Sequence, residues 1–209
     1  MQAWWNETYP EISRRAIVES AEIQWGDEIG LRSDNVRVLS YAPIGKTPER
    51  RVASRRAGLP VMSTVTNRGQ VRWKVFEGAM NADILLAFLK RRINKYMRSN
   101  KLFLILDNLK VHHAKPVTAW LAEHFDEIEV LYLPSYSQVP SYSQELNPDE
   151  MLNADLKENV TKQAPARTKE HLKKAVISHL RRLQKAPQRV ACYFMHKSAL
   201  LHKSGVKTQ

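Results

Sequence analysis

The chain has 209 residues, 43% hydrophobic and 26% charged, with a net charge of +12; this is the composition of a soluble globular protein, long enough for one domain with a sizeable core. It contains no apolar run near the ~20 residues of a membrane span and no signal-peptide architecture in MQAWWNETYPEISRR. The lone Cys192 excludes an internal disulfide and a cysteine-built zinc site, and a reducing cytoplasm is its simplest setting. The positive charge is uneven. From Lys157 onward, 13 Lys and Arg face only Glu158 and Glu170, whereas the first 156 residues carry 20 basic and 19 acidic side chains. Such asymmetry points to a polyanion, most often DNA or RNA; the plainer alternative is a solubilising tail.

In chain order, residues 7–21 read as a helix with Ile12, Ala16, Ile17 and Ala21 on one face. The adjacent Trp4-Trp5 pair reads as core or interface. Residues 23–31, 37–41 and 59–66 read as strands, with turn chemistry at Asn67-Arg68-Gly69. Residues 71–76 alternate apolar and polar, as in a half-buried strand, which gives an antiparallel meander. Asn81 is an N-cap for a helix reaching about Met97. Ile84, Leu85, Phe88, Leu89 and Ile93 form its apolar stripe, and Lys90, Arg91, Arg92 and Lys95 crowd its later turns. The all-apolar run from Leu102 to Leu106 has the pattern of a strand covered on both faces. A helix at 117–124, a strand at 128–133, a loop at 134–145 and a helix carrying Glu150 follow. The last helix begins at the N-cap Thr168. Leu172, Val176, Leu180 and Leu183 face inward on it, and Lys169, Lys173, Lys174, Arg181 and Arg182 lie on its other faces. Early strands followed by alternating helices and strands predict a mixed α/β sheet covered by helices. The expected unit is a single domain over 1–209, with a basic helical region from about 157.

Asp107 ends the buried strand, where a charge costs several kcal/mol unless it is paired or binds a metal. Asp27 lies inside a strand, and its neighbour Glu28 points to the opposite face, so one of the two is expected to be merely solvated. Glu150 sits on the first turn of a helix. Asn147 as cap, Pro148 at the first helical position and a Leu146–Met151 staple explain an acid there by helix-end electrostatics alone. The residues by themselves leave Glu150 open between cap and catalyst. Three carboxylates from separate elements of a basic chain suit two-metal phosphodiester chemistry. His112 and His113 read first as packing and second as groups that contact a phosphate or orient a carboxylate. With seven glycines and no phosphate-cradling loop, a nucleoside triphosphate site is unsupported.

Taken together, GDEIGLRSD, YAPIGKTP, LILDNLKVHHA and ELNPDEMLNADLKENVTKQAPART resemble the bacterial insertion-sequence transposases related to mariner elements, the DDE superfamily endonucleases. The resemblance runs from Ala3 to Lys197. It implies an RNase H-like fold, a five-stranded mixed sheet flanked by helices. It implies Asp27, Asp107 and Glu150 as catalytic acids holding two Mg²⁺ or Mn²⁺ ions, with Glu28, Asp34 and Asp149 as secondary candidates; His113, from its place after Asp107, is a further one. It implies DNA as partner: transposon terminal inverted repeats are cut, and the freed 3′-hydroxyl joins a target, typically at TA. Lys173, Lys174, Arg181 and Arg182 would grip the DNA backbone. A homodimer and a separate N-terminal recognition partner are the protein partners that fit. A bacterial cytoplasm, with the protein on the nucleoid, is the implied location.

The sequence departs from the family pattern in two ways. Members usually carry an N-terminal helix-turn-helix region, whereas this chain starts almost at the catalytic domain, so that region is expected to be absent. The family pattern PYSPELNPDE is replaced by a tandem repeat, PSYSQV (134–139) then PSYSQE (140–145). The duplication leaves 42 residues between Asp107 and Glu150 instead of 36. Both departures support a rival reading: a catalytically impaired remnant that binds DNA or an intact transposase. RNA-directed hydrolysis suits the acids but not the LNPDE motif.

Overall fold

All five residues of Leu102–Leu106 are buried, because their strand lies inside a sheet that helices cover on both sides. The structure is a computed structural model; it describes residues 4–32, 58–96, 101–134, 147–162 and 168–195. The strands are β1 (Glu22–Arg32), β2 (Gly58–Val65), β3 (Val71–Val75), β4 (Leu102–Leu106) and β5 (Ile128–Tyr132), in the spatial order β3-β2-β1-β4-β5. β1, β2 and β3 form the expected antiparallel meander, while β4 and β5 run parallel to β1. The helices α2 (Ala82–Tyr96) and α3 (Lys115–Glu123) supply the parallel crossovers. Side chains alternate along β4. Phe103 and Ile105 join one core with Trp5, Trp25, Leu152 and Leu172. Leu102, Leu104 and Leu106 join the other with Phe88, Leu89 and Val117. The first core lies under α1 (Tyr9–Val18), α4 (Pro148–Lys162), α5 (Lys169–Gln184) and α6 (Pro187–Ala191); the second lies under α2 and α3.

The caps fall where the side-chain chemistry puts them. Asn81 Oδ1 accepts the Ile84 N–H at 2.9 Å, and Thr168 Oγ1 accepts the His171 N–H at 3.2 Å. Leu172, Val176, Leu180 and Leu183 are all buried. Trp4 and Trp5 are core residues; Trp5 stacks on Trp25 with ring centroids 5.5 Å apart.

Three expectations need correction. The first helix stops at Val18 rather than Ala21, because Ser20 takes a left-handed φ of 50°. The Ala21 N–H then closes back on the Ala16 carbonyl and the Ser20 N–H on the Ile17 carbonyl, a Schellman end without glycine. Ile17 is consequently 82% exposed instead of facing the core. Arg92, grouped with Lys90, Arg91 and Lys95 apart from the apolar stripe, is buried and donates to Gln24 Oε1. The basic α5 is not the last helix, since α6 follows it. Residues 37–41 and Asp34, and all of the 134–145 repeat except Pro134, lie outside the described residues. Among the described residues, no helix is long and apolar enough to cross a membrane.

The β2–β3 turn is locked to α6. The Gly69 N–H donates to the Thr66 carbonyl at 2.9 Å, and Gly69 has φ +80°. A Cβ placed there would lie 1.9 Å from the Pro187 carbonyl oxygen. Gly78 has φ +76° but nothing within 4 Å of a built Cβ. Gly69→Ala is therefore expected to cost about 2–4 kcal/mol, strain plus backbone displacement, against about 1 kcal/mol for Gly78→Ala. Paired denaturant melts check this; equal losses would mean that α6 does not press on the turn.

Candidate active site

The sheet register brings two acids level. β1 pairs with β4 from Glu22–Leu102 to Trp25–Ile105, and two residues further along each strand stand Asp27 and Asp107. On its other side Asp27 faces Ser63 of β2. The third acid arrives on α4, whose N-cap is fastened to β1. Asn147 Oδ1 accepts the Asp149 N–H at 3.0 Å, and its amide donates to the Gly26 carbonyl at 3.2 Å, one residue before Asp27. Asn147 is both a helix cap and a bolt to the sheet, and this aims the first turn of α4 at Asp27. Gly26 itself has no room for a side chain between the neighbouring strands: a Cβ there would lie 2.8 Å from Leu106 Cδ2 and 3.1 Å from the Ser63 carbonyl oxygen.

Asp27, Glu28, Asp107, Glu150, Asn153 and Lys157 border one cleft of about 390 Å³. Asp27 Oδ1 accepts the Glu28 N–H and Oδ2 accepts the Asn153 amide, each at 2.8 Å. Burial pushes the Asp27 carboxyl up to about 9, reinforced by the charges of Glu150, Asp149 and Asp107. Asp107 is raised chiefly by burial, partly offset by His112. Glu28 is raised by burial and by Asp107; although it alternates with Asp27 along β1, it too borders the cleft rather than being merely solvated.

The secondary candidates divide. Asp149 is fully buried and turns from the cleft to Ser63, whose hydroxyl donates to Oδ2 at 2.7 Å; burial holds its carboxyl well above the usual range. The histidine beside Asp107 is His112, not His113. His112 Nδ1 donates to the Asp107 carbonyl at 2.8 Å and lies 3.4 Å from Oδ1. Burial lowers its basicity, and the Tyr132 hydroxyl donates to its carbonyl at 3.1 Å. His113 is exposed and bonds Asn108 at 2.5 Å. Lys173, Lys174, Arg181 and Arg182 are all exposed on α5 and do not border the acid cleft.

Sequence reasoning missed Asn153 and Lys157. Their spacing was a usable signal: they follow Glu150 by three and seven residues, on the same helical face. Ser63 and His112 gain their positions from sheet register and a turn, which leave no such periodic trace.

Among the described residues, no three His, Cys, Asp or Glu side chains form a ready-made metal cage. Mg²⁺ does not require one, because it keeps several waters and takes substrate phosphate oxygens as ligands. The local chemistry fits a hard cation. Several carboxyls crowd a cleft short of positive charge, and the Asn153 side-chain oxygen is buried there without a partner.

A family model for DDE superfamily endonucleases matches residues 22–173. Among solved structures, the Mos1 transposase paired-end complex with left transposon end is 18% identical at a TM-score of 0.63, over 95% of this chain and 60% of that one. The Mos1 strand transfer complex is likewise 18% identical at 0.63, over 98% and 60%. The Mos1 mariner transposase catalytic domain is 15% identical at 0.56, over 98% and 92%. This chain thus spans about 60% of the length of the longer Mos1 chains, and it has the fold of their catalytic domain, the RNase H-like fold. No curated protein sequence matches it. With the family model spanning most of its length, the chain belongs to the DDE superfamily endonucleases.

Proposed function

We propose that the chain is the catalytic part of a DNA transposase, which cleaves transposon ends and transfers the freed 3′-hydroxyl to target DNA. The observation that carries the proposal is the cleft: Asp27, Asp107 and Glu150, from three separate elements, border one hollow in a DDE endonuclease. The Mos1 structures include a complex with a transposon end, and others contain Mg or Mn. The proposal extends to terminal inverted repeats, a TA-containing target, a homodimer, a separately supplied recognition domain and a bacterial insertion sequence as origin.

Asp27, Asp107 and Glu150 would hold two Mg²⁺ or Mn²⁺ ions. When bound, such ions activate the attacking oxygen and stabilise the leaving oxygen of an in-line displacement. The protein's own groups set the geometry. The Glu28 N–H and the Asn153 amide fix both oxygens of Asp27. Neutral His112 fixes the backbone that presents Asp107. Asn147 fixes the turn that presents Glu150. Lys157 offers the cleft one cation for a substrate phosphate. Nicking of supercoiled plasmid with Mn²⁺, against a chelated control, tests the activity; no nicking with either metal and any DNA end would refute it.

A second reading, binding without cleavage, draws on the tandem PSYSQ repeat at 134–145, which lengthens the stretch between Asp107 and Glu150. The same assay separates the two, because a binder retards DNA but leaves it intact.

Lys173, Lys174, Arg181 and Arg182 are proposed to contact DNA phosphates. Changing all four to Gln is expected to flatten the slope of log K against log[salt] by up to ~3.6. Filter binding across a salt series checks this, and an unchanged slope would make the helix a solvated face.

A further inference from the structure

α5 is one wall of a larger basic groove. Along the outer edge of β3 runs a hollow of about 470 Å³, lined by Arg72, Lys74, Arg91, Arg92, Lys173 and Arg181 and by no acid. These cations come from three elements: β3 itself, α2 on one face of the sheet and α5 on the other. The hollow shares Ile177 and Arg181 with a second, of about 500 Å³, on the outer side of α5, where Lys174, Arg182 and Lys185 continue the basic lining.

Two of the groove cations have structural work. Arg92 holds Gln24, and Arg72 reaches the Val71 carbonyl and Gln70 Oε1, both at 3.2 Å. The side chains of Lys74, Arg91, Lys173 and Arg181 make no hydrogen bond or ion pair among the described residues. Protection of an edge strand needs a charge on that strand only. The Val71 carbonyl at this edge is already capped by the Gln184 amide at 2.9 Å. Edge protection therefore accounts for Lys74 but not for Arg91, Lys173 and Arg181 converging on the same hollow from two helices. Converging like charges repel, and an anion relieves the repulsion.

We infer that this groove is a second contact surface for duplex DNA, gripping phosphates other than the one presented to the acid cleft. The inference rests on the DNA reading above. Sheet geometry separates the two places. With strands ~4.8 Å apart, β3 lies roughly 10 Å from β1 and 15 Å from β4, so one phosphate cannot touch both the acids and the groove. A duplex carries a charge about every 1.7 Å of its axis, so flanking DNA fills that gap with further phosphates. Sites built for single strands use successive stacking aromatics. The groove's two aromatics, Trp73, packed partly into one core, and Phe88, buried in the other, form no successive stacking series, which favours backbone contact with a duplex.

The test uses the full chain with chelator present, so that no cleavage occurs, and a fluorescent duplex of about 20 base pairs in a salt series. The double variant Lys74→Gln, Arg91→Gln lies outside the basic C-terminal region. It is expected to flatten the salt slope by up to ~1.8, additively with the α5 substitutions. Lys74→Arg with Arg91→Lys should keep the wild-type slope, and matched melting curves identify any variant that fails to fold. If the α5 variant flattens the slope and the Lys74/Arg91 variant does not, the groove is refuted and the DNA reading stands. If wild type shows no salt-dependent DNA binding, both fall. If the variant loses binding to polyglutamate while its DNA affinity is unchanged, the groove serves an acidic protein and the inference is wrong.

Discussion

Asp27→Asn is expected to remove metal-dependent nicking, by ~10³-fold or more, and to stabilise the metal-free protein. The rate loss corresponds to roughly 4 kcal/mol of transition-state stabilisation, within what a lost metal site costs. The gain in stability follows from protonation. An unfolded aspartate titrates near 3.9, whereas Asp27 in the fold is pushed up to about 9 by burial and then by Glu150, Asp149 and Asp107. Between those values the folded state holds more protons than the unfolded one, so the stability of the metal-free protein falls as pH rises from about 4 through 9. Asparagine carries no charge to bury. It keeps the Glu28 N–H bond, and Asn153 can turn its unpartnered oxygen toward the new amide. Melting temperatures across that pH range, in chelator, should decline more steeply for wild type than for the variant, in which the raised Asp107, Glu28 and Asp149 carboxyls still titrate. Parallel curves would mean that Asp27 titrates normally and that the crowding argument is wrong.

Asp155→Ala is expected to cost about 3 kcal/mol, a drop of roughly 6–12 °C for a chain of this size. Asp155 is buried on α4, just over one turn past Glu150, and ties three elements to that helix. His179 of α5 bonds it at 3.1 Å, and Arg189 of α6 donates twice, at 2.8 and 2.9 Å. Tyr193 donates its hydroxyl, and Asn159 adds an amide at 2.7 Å. Burial alone would raise this carboxyl; the bonds from Tyr193 and Arg189 outweigh it and hold it below the ordinary range. Its contribution is therefore present above about pH 4 and is lost on further acidification. The Arg189 side chain is 57% exposed and can turn to water when Asp155 goes; this keeps the cost at the lower end for a broken buried pair. Because α4 carries Glu150, nicking should fall along with stability. Denaturant melts of the variant would contradict this if the loss stayed under ~0.5 kcal/mol, the scale of an ordinary surface change.

What the sequence could reveal followed from local chemistry. An unbroken apolar run fixed β4, because a strand covered on both faces tolerates no polar side chain. Three good N-caps, Asn81, Asn147 and Thr168, placed three helix starts to within a residue. The convergence of Asp27 with Asp107 was invisible locally, since it depends on the β1–β4 register. Motif resemblance supplied what periodicity could not. The early stop of α1 was missed because a Schellman end normally announces itself by glycine, and here Ser20 takes that role. His113 was preferred to His112 because adjacent residues in a tight turn give no cue to which ring faces inward. Asp155 escaped notice because all its partners but Asn159 lie 24 to 38 residues away, beyond α4.

The central claim is that Asp27, Asp107 and Glu150 form a divalent-metal site. Calorimetric titration of Mn²⁺ into the full wild-type chain and into Asp107→Asn tests it without reference to DNA or turnover. Wild type should bind Mn²⁺ with a measurable heat and gain melting temperature with the logarithm of the free metal above its Kd. Asp107→Asn should bind at least ~10-fold more weakly, about 1.4 kcal/mol, because one anionic ligand of a small set is gone. The Lys173, Lys174, Arg181 and Arg182 variant should match wild type. Equal Mn²⁺ binding by wild type and Asp107→Asn would contradict the assignment of these acids as the metal site.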